Sequence, residues 1–562
     1  MPDGRLVGSA VLVGLLALLA SADAVPARAQ STLADPVRFE VAEEDLIEVN
    51  GDARYLDTLE LRHAGSGPVL VNELSMDDYV AGIAEMPARW PEEALKAQAV
   101  AARTYGWYVA RTSSYDGYDI CASVSCQVFG GADTVVDAPM GQRWRAAVDA
   151  TSGEVLLDAD GGPILARYFS TSGGRTYANE EAFPSSGPRD ELVAIEDPFD
   201  AVSPFHRWTV TFTREEFDTI LSRGDTLAAA SPAADARREG PTDDPSSRVV
   251  VTGVDGSEVD VDARDFRRFV SAVAPQRFPD RFPQLRDDGL SRLPSTVPSS
   301  RFAVRFGDDE VVLDGQGWGH GVGLGQYGAR GRAEDGHDYR QILSAYYNGR
   351  TPTVSDDLPD RMRVGMSAPV ETRLRGDGPM RITAGDTVIE EAALGTWTVR
   401  GDGDGWAIEP PEGHGADLEV SPTRLATNLG SFDDAVTVDA DVNKPVLLYL
   451  EVTDGAGEVV LRRELGVAEA GSHAAIWRLE DGDGSLVEHG PYQVALIGEE
   501  PAGDRDGTAI DVTVPLDPTD DPDVTTTTPA PDERDGPSRG LAIVVAVVTL
   551  ALAGVLVIRR SR

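Results

Sequence analysis

Lysine is almost absent from this sequence of 562 residues. Lys96 and Lys444 are the only two, so arginine supplies nearly all of the 50 basic side chains that stand against 94 acidic ones. A formal net charge of −44 leaves no basic footprint for phosphate, which excludes nucleic acid as a partner. It also sets the folded part against anionic lipid, and otherwise reads as a solvated acidic surface. Cysteine is equally scarce. Cys121 and Cys126 stand in Cys-Ala-Ser-Val-Ser-Cys, which suits a disulfide closing a short loop in a secreted chain. Half of a zinc site is the rival reading, but it needs two more ligands and no histidine lies nearby in sequence. No metal and no cofactor is therefore expected. Internal repeats at solenoid spacing are missing, and so is a G-x-S-x-G nucleophile elbow. The length excludes a single core and predicts roughly three or four structural units.

Long apolar runs occur only at the two ends. Residues 1–29 read as a signal peptide, with Arg5 before the apolar run Leu6 to Ala20. Ala27-Arg28-Ala29 fits the cleavage rule and Ala22-Asp23-Ala24 is a second option, while an uncleaved anchor is the alternative. Residues 541–558 contain Thr549 as their one polar residue and precede Arg559, Arg560 and Arg562. That run is just long enough to span a bilayer, with the arginines cytoplasmic. Residues 517–540 are rich in Pro, Thr and Asp and read as an extended stalk. The expected location is extracytoplasmic, at the cell surface, with the membrane as a partner through a single C-terminal transmembrane helix.

Between the ends, helices and strands come in runs, which predicts an α+β core followed by all-β domains. Ser75-Met-Asp-Asp78 resembles a capping box for a short helix that ends near Glu85-Met86-Pro87. A second helix starts at Trp90-Pro91-Glu92-Glu93, with Ala94, Leu95, Gln98, Ala101, Ala102 and Tyr105 on one face. The core domain is placed at 36–354, with residues 224–247 as an inserted polar loop. Residues 355–432 read as a small separate β region. Residues 433–516 alternate with turn signals between runs, the pattern of an immunoglobulin-like β-sandwich.

Three places carry candidate chemistry. Glu85, at the negative end of a short helix, is expected to have a raised pKa and to serve as a general acid; the plain alternative is a solvated or N–H-bonded acid. In the second, Gly315, Gly317, Gly319, Gly321, Gly323 and Gly325 alternate with Gln316, Trp318, His320, Val322, Leu324 and Gln326. An extended backbone puts the larger side chains on one face, where Trp318 stacks on a sugar and His320 and Gln326 bond its hydroxyls; a tightly packed bend is the alternative. The third is Ser170 to Thr176. Here Ser170, Ser172, Gly173 and Arg175 either line a groove with hydroxyls and amides or form an ordinary turn.

Four segments, EMPARWPEEALKAQAVAARTY, CQVF, YFSTSGGRT and GWGHGVGLGQYGARG, follow one another in an order that resembles the SpoIID/LytB domain family over about residues 65–350. The resemblance implies remodelling of peptidoglycan. One branch resembles lytic transglycosylases acting on glycan stripped of stem peptides, with the Glu of E-M-P, here Glu85, as catalytic acid and 1,6-anhydro-muramoyl products. The other branch resembles non-enzymatic enhancers of a wall amidase, N-acetylmuramoyl-L-alanine amidase. The implied partners are peptidoglycan glycan strands and that amidase. Some members bind zinc through two His and two Cys around CQVF; this chain has the two cysteines alone, so no zinc is expected. The W-R-L-E-D-G…G-P-Y-Q-V run near the C-terminus resembles the sandwich beside flagellar hook-capping proteins.

Overall fold

The computed structural model describes residues 33–515 apart from 66, 137–139, 283–295, 404 and 430–433. The signal peptide, the stalk and the apolar run 541–558 lie outside the described residues. Among the described residues no helix is long and apolar enough to cross a membrane.

The chain is a mixed α+β core followed by an all-β unit. The spine of the core is the helix Glu92–Thr112. Its alanines exist because both flanks are occupied. Ala94, Ala97, Val100 and Ala101 pack with Leu165, Tyr177, Val322 and Tyr346, while Leu95, Ala99 and Ala102 pack with Tyr79, Trp90, Trp144 and Val364. Small side chains let both neighbours approach closely. Arg103 on this helix is fully buried and bonds Asp77 at 2.7 Å, and a buried charge needs such a partner. The preceding helix, Met76–Ala81, starts as its capping signal predicts: the Asp78 N–H donates to Ser75 Oγ at 3.1 Å.

The small β region at 355–432 is not a separate unit. Arg361–Ser367 pairs antiparallel with Gly67–Ser75, and Met380–Ala384 pairs with Val37–Glu40, inside one seven-stranded sheet. Glu371–Gly376 pairs with Leu46–Val49 in a five-stranded sheet. Phe39, Ile47, Leu59, Trp397 and Trp406 form the core these strands share. The apolar faces of residues 36–75 need partners, and the chain supplies them about 300 residues later, a distance that local patterning cannot register.

The reading of 224–247 as a loop is also corrected. Ala233–Glu239 is a strand, paired with Arg248–Gly253, which pairs in turn with Glu258–Asp262. With a second three-stranded sheet (Trp208–Thr213, Phe302–Phe306, Glu310–Gly315) and the helices Arg214–Leu221 and Ala263–Arg277, these strands enclose a core of Phe212, Phe217, Val251, Phe266, Phe302 and Leu313. Ala233 and Ala236 are buried without bulk, so the strand carries almost no hydrophobic signal of its own.

The C-terminal sandwich opens at Val420 rather than at 433. One sheet holds Val420–Asn428, Ala435–Val442 and Gly471–Trp477; the other holds Val459–Ala468, Val446–Asp454, Gly490–Glu499 and Arg505–Val514. Val438, Leu450, Trp477 and Val494 fill the space between them. Inward positions alternate along Val446–Asp454, the period expected of a strand with one dry face.

Candidate functional site

Glu85 is not at a helix end. The Met76–Ala81 helix stops four residues earlier, capped at Gly82, and the next stretch runs beside the C-Q-V-F segment. The Ala84 N–H donates to the Val128 carbonyl at 2.9 Å, and the Gly130 N–H donates to the Gly82 carbonyl at 2.8 Å. Gly82 is required for this approach, since a Cβ there would lie 2.3 Å from the Phe129 ring. The pairing delivers the Glu85 carboxyl to the Val128 N–H, which donates to Glu85 Oε1 at 2.6 Å.

The carboxyl is half-buried, and desolvation pushes its pKa up to about 7, against the opposing effect of the hydrogen bonds from the Val128 N–H and the Tyr168 hydroxyl. Burial disfavours the charged form and donors favour it; here burial wins. Among the described residues no carboxylate contributes to the shift. The Tyr168 hydroxyl is itself held by Gln127, whose Nε2 donates to it at 2.9 Å, and Gln127 Oε1 accepts from the Tyr79 hydroxyl. Burial raises the pKa of both tyrosines well above the ordinary value, so both stay donors. Every proton in the relay Tyr79–Gln127–Tyr168–Glu85 is thereby assigned a direction.

Tyr168 reaches this point because Tyr168–Phe169 pairs in parallel with Leu324–Gly325. The residue after that pair is Gln326, the start of the helix Gln326–Glu334. Its Nε2 donates to the Glu85 carbonyl at 3.2 Å and to Gln98 Oε1 at 3.4 Å. Segments near residues 85, 127, 168 and 326 thus meet at Glu85, the segments at 127 and 168 around its carboxyl and Gln326 at its backbone carbonyl.

The glycine-rich stretch is not extended. Gly317, Gly319, Gly321 and Gly323 have φ of +76°, +105°, +81° and +79°, so the chain turns repeatedly and its side chains part company. Trp318 packs on the Phe205 ring at 5.0 Å, and its backbone bridges to Thr171. His320 lies between the Phe169 and Phe183 rings. One ring nitrogen, Nδ1, accepts from the Val322 N–H at 3.1 Å, and the ring also bonds the Tyr168 backbone. Desolvation, followed by Arg167 and Arg267, pushes its pKa down to about 3. His320 is neutral and committed within the protein, which corrects the expectation that it bonds sugar hydroxyls. Of these three residues Gln326 alone touches the Glu85 segment.

The Ser170–Arg175 turn is mostly framework. Ser172 is buried, its Oγ accepts from the Gly174 N–H at 3.2 Å, and its carbonyl accepts from Arg301. The Gly173 N–H donates to Asp200 Oδ2 at 2.6 Å, and Asp200 also pairs with His206 Nδ1 at 2.8 Å. Arg175 pairs with Glu181 at 3.4 Å. A buried, satisfied turn has nothing left to offer a polymer, so Ser172 and Gly173 do not line a groove. Ser170 is half-buried, and its carbonyl accepts from the Tyr327 N–H at 3.0 Å, which sets it beside the Glu85 cluster. Cys121 and Cys126 are joined in a disulfide upstream of Gln127. Sequence reasoning passed over Tyr79, Gln127 and Tyr168. Gln127 and Tyr168 fall in quoted segments, but a neutral amide and a phenol carry no chemical signature until a carboxyl is seen beside them.

The profile described as "Stage II sporulation protein" matches residues 65–157, and that of the "FlgD Ig-like domain" matches residues 426–500. An uncharacterized protein of Brachyspira hyodysenteriae is 32% identical over 285 residues, which are 50% of this chain and 67% of that one. The chain belongs to the SpoIID family. The amidase enhancer of Bacillus subtilis is 31% identical over 48% of this chain and 39% of its own length, and stage II sporulation protein D of Bacillus subtilis is 29% identical over 51% and 76%. Each similarity thus covers about half of this SpoIID chain. The solved FlgD from P. aeruginosa is 21% identical over 17% of this chain and 70% of that one, at a TM-score of 0.14. The matched SpoIID segment holds Glu85, Gln127 and the disulfide; Tyr168 and Gln326 come from beyond it.

Proposed function

We propose that this protein cleaves peptidoglycan glycan strands as a lytic transglycosylase, with Glu85 as its one acid/base. The observation that carries the reading is the desolvated Glu85 carboxyl, with a pKa of about 7 and donors from Val128 and Tyr168. A carboxyl in that range holds a proton near neutral pH and gives it up readily. Protonated Glu85 donates to the glycosidic oxygen as the bond to C1 of the muramoyl sugar breaks. The Glu85 carboxylate then takes the proton of the C6 hydroxyl, whose oxygen closes on C1 to give the 1,6-anhydro ring. No water is consumed, so no second carboxylate is needed to activate one. The Val128 N–H and the Tyr168 hydroxyl stabilise the carboxylate between the two transfers. In the same reading Ser170, Trp318 and Gln326 border the bound glycan, while Gly173 and Arg175 hold the turn behind it. Residues 1–29 export the chain, and residues 517–558 tether it to the membrane and let it reach wall polymer.

The likeness to an amidase enhancer supports a second reading, in which the same cluster binds glycan or an amidase without cleaving. Digestion of denuded glycan strands separates the two. Mass spectrometry is expected to find 1,6-anhydro-muramoyl ends, each one water lighter than a reducing end, with wild type and not with Glu85→Gln. Glycan bound by both proteins and cleaved by neither would overturn the enzymatic reading in favour of the enhancer.

A further inference from the structure

A cavity of about 710 Å³ lies between the helix Ala263–Arg277, the 182–185 turn and Gly319–His320. Its wall carries Arg264, Arg267 and Arg268 against one carboxylate, Asp265. In a chain with 94 acidic and 50 basic side chains, such a surplus of cations around one hollow runs against composition. Arg264 bonds Asp262 at 3.0 Å, and Arg268 bonds Asp265 at 3.4 Å. Arg267 has the Val297 carbonyl at 3.3 Å and no carboxylate among the described residues. Desolvation, then Arg268, lowers its pKa to about 10. Arg167, whose guanidinium lies 3.9 Å over the Phe183 ring that lines the cavity, likewise has no carboxylate partner there, and its Nε has no hydrogen-bond partner. Desolvated guanidinium groups without counter-ions are costly unless an anion is part of the working state.

The cavity adjoins the Glu85 cluster. His320 on its wall bonds the Tyr168 backbone, and the Tyr168 hydroxyl meets Glu85. One residue therefore links the two. Its volume falls within the range of small-ligand sites. Neutral His320, already committed to the Val322 N–H and the Tyr168 backbone, adds no charge.

We propose that this cavity is an anion subsite in which Arg267, backed by Arg264 and Arg268, binds a carboxylate of the wall polymer. The inference rests on the glycan reading of the neighbouring site. The carboxylate comes from the lactyl group of a peptide-free muramoyl sugar or from the end of a stem peptide, and guanidinium recognition is the same for both.

The test is calorimetric binding to the full-length protein of three probes: a denuded glycan tetrasaccharide, its lactyl methyl ester, and the stem peptide alone. Wild type is expected to bind the free acid about 10-fold more tightly than the ester, about 1.4 kcal/mol. Arg267→Gln is expected to lose that preference and to keep its affinity for the ester, whereas Arg267→Lys keeps part of the preference. Arg267-dependent binding of the stem peptide, in place of the acid preference, would assign the carboxylate to the peptide. Equal binding of acid and ester by wild type with no binding of the peptide would overturn the proposal, as would a preference that survives Arg267→Gln. The wild-type comparison stands even if the variant folds poorly. Because the readout is binding, an Arg267-dependent preference without 1,6-anhydro products would keep the subsite and sink the transglycosylase reading, and the reverse result would do the opposite.

Discussion

Glu85→Gln is expected to lower the rate of glycan cleavage about 10³-fold while leaving glycan affinity within a few-fold of wild type, the loss usual for a positioned general acid. Glutamine keeps the shape and can still accept from the Val128 N–H, so the proton is the only thing removed. The pH profile follows from the same carboxyl. Its reactive form carries the proton and its pKa is raised to about 7, so the wild-type rate should fall as pH rises through that value. Tyr168→Phe deletes a hydrogen bond that favours the carboxylate, which should move the falling limb to higher pH. A profile flat through neutrality, or a limb unmoved by Tyr168→Phe, would mean that another group supplies the proton.

Gly323→Ala is expected to destabilise the core by about 3 kcal/mol or more, enough to deplete soluble protein. A Cβ at Gly323 would sit 2.0 Å from the Arg167 carbonyl oxygen, and the residue has φ +79°. That carbonyl also accepts from the Leu324 N–H at 3.0 Å and the Tyr347 hydroxyl at 2.9 Å, so it cannot withdraw without breaking the pairing that brings Tyr168 to Glu85. Gly336 is the control. It has φ +93° but nothing within 4 Å of its Cβ position, so Gly336→Ala should cost the backbone term alone, about 1 kcal/mol. Unfolding midpoints of the two variants check the contrast, and equal shifts would show that the close approach at Gly323 is not what holds the segment.

What could be read from the sequence follows a physical line. Local signals worked: the Ser75 cap, in which Ser75 Oγ accepts from the Asp78 N–H at 3.1 Å, the alanine face of Glu92–Thr112, and the alternation of the sandwich are all set by residues a few positions apart. Whatever depends on distant pairing was hidden. The strands at 361–409 carry no mark of belonging with residues 33–75, and Ala233–Glu239 is too small and polar to look like a strand. At the site, Glu85 was legible, but the cause of its raised pKa is burial rather than a helix end. His320 and Ser172 looked available because they are polar, and the fold spends both on its own backbone. Tyr79, Gln127 and Tyr168 acquire meaning only through the hydrogen-bond chain in which Tyr168 reaches the carboxyl.

The direct test of the central claim is a ¹³C NMR titration of the Glu85 carboxyl, identified by subtracting the spectrum of Glu85→Gln from that of wild type. A midpoint near 7 is the result predicted here, since burial there outweighs the two donors. A midpoint near the ordinary 4.5 would contradict the account, because Glu85 would then be ionised at neutral pH and would have no proton to give.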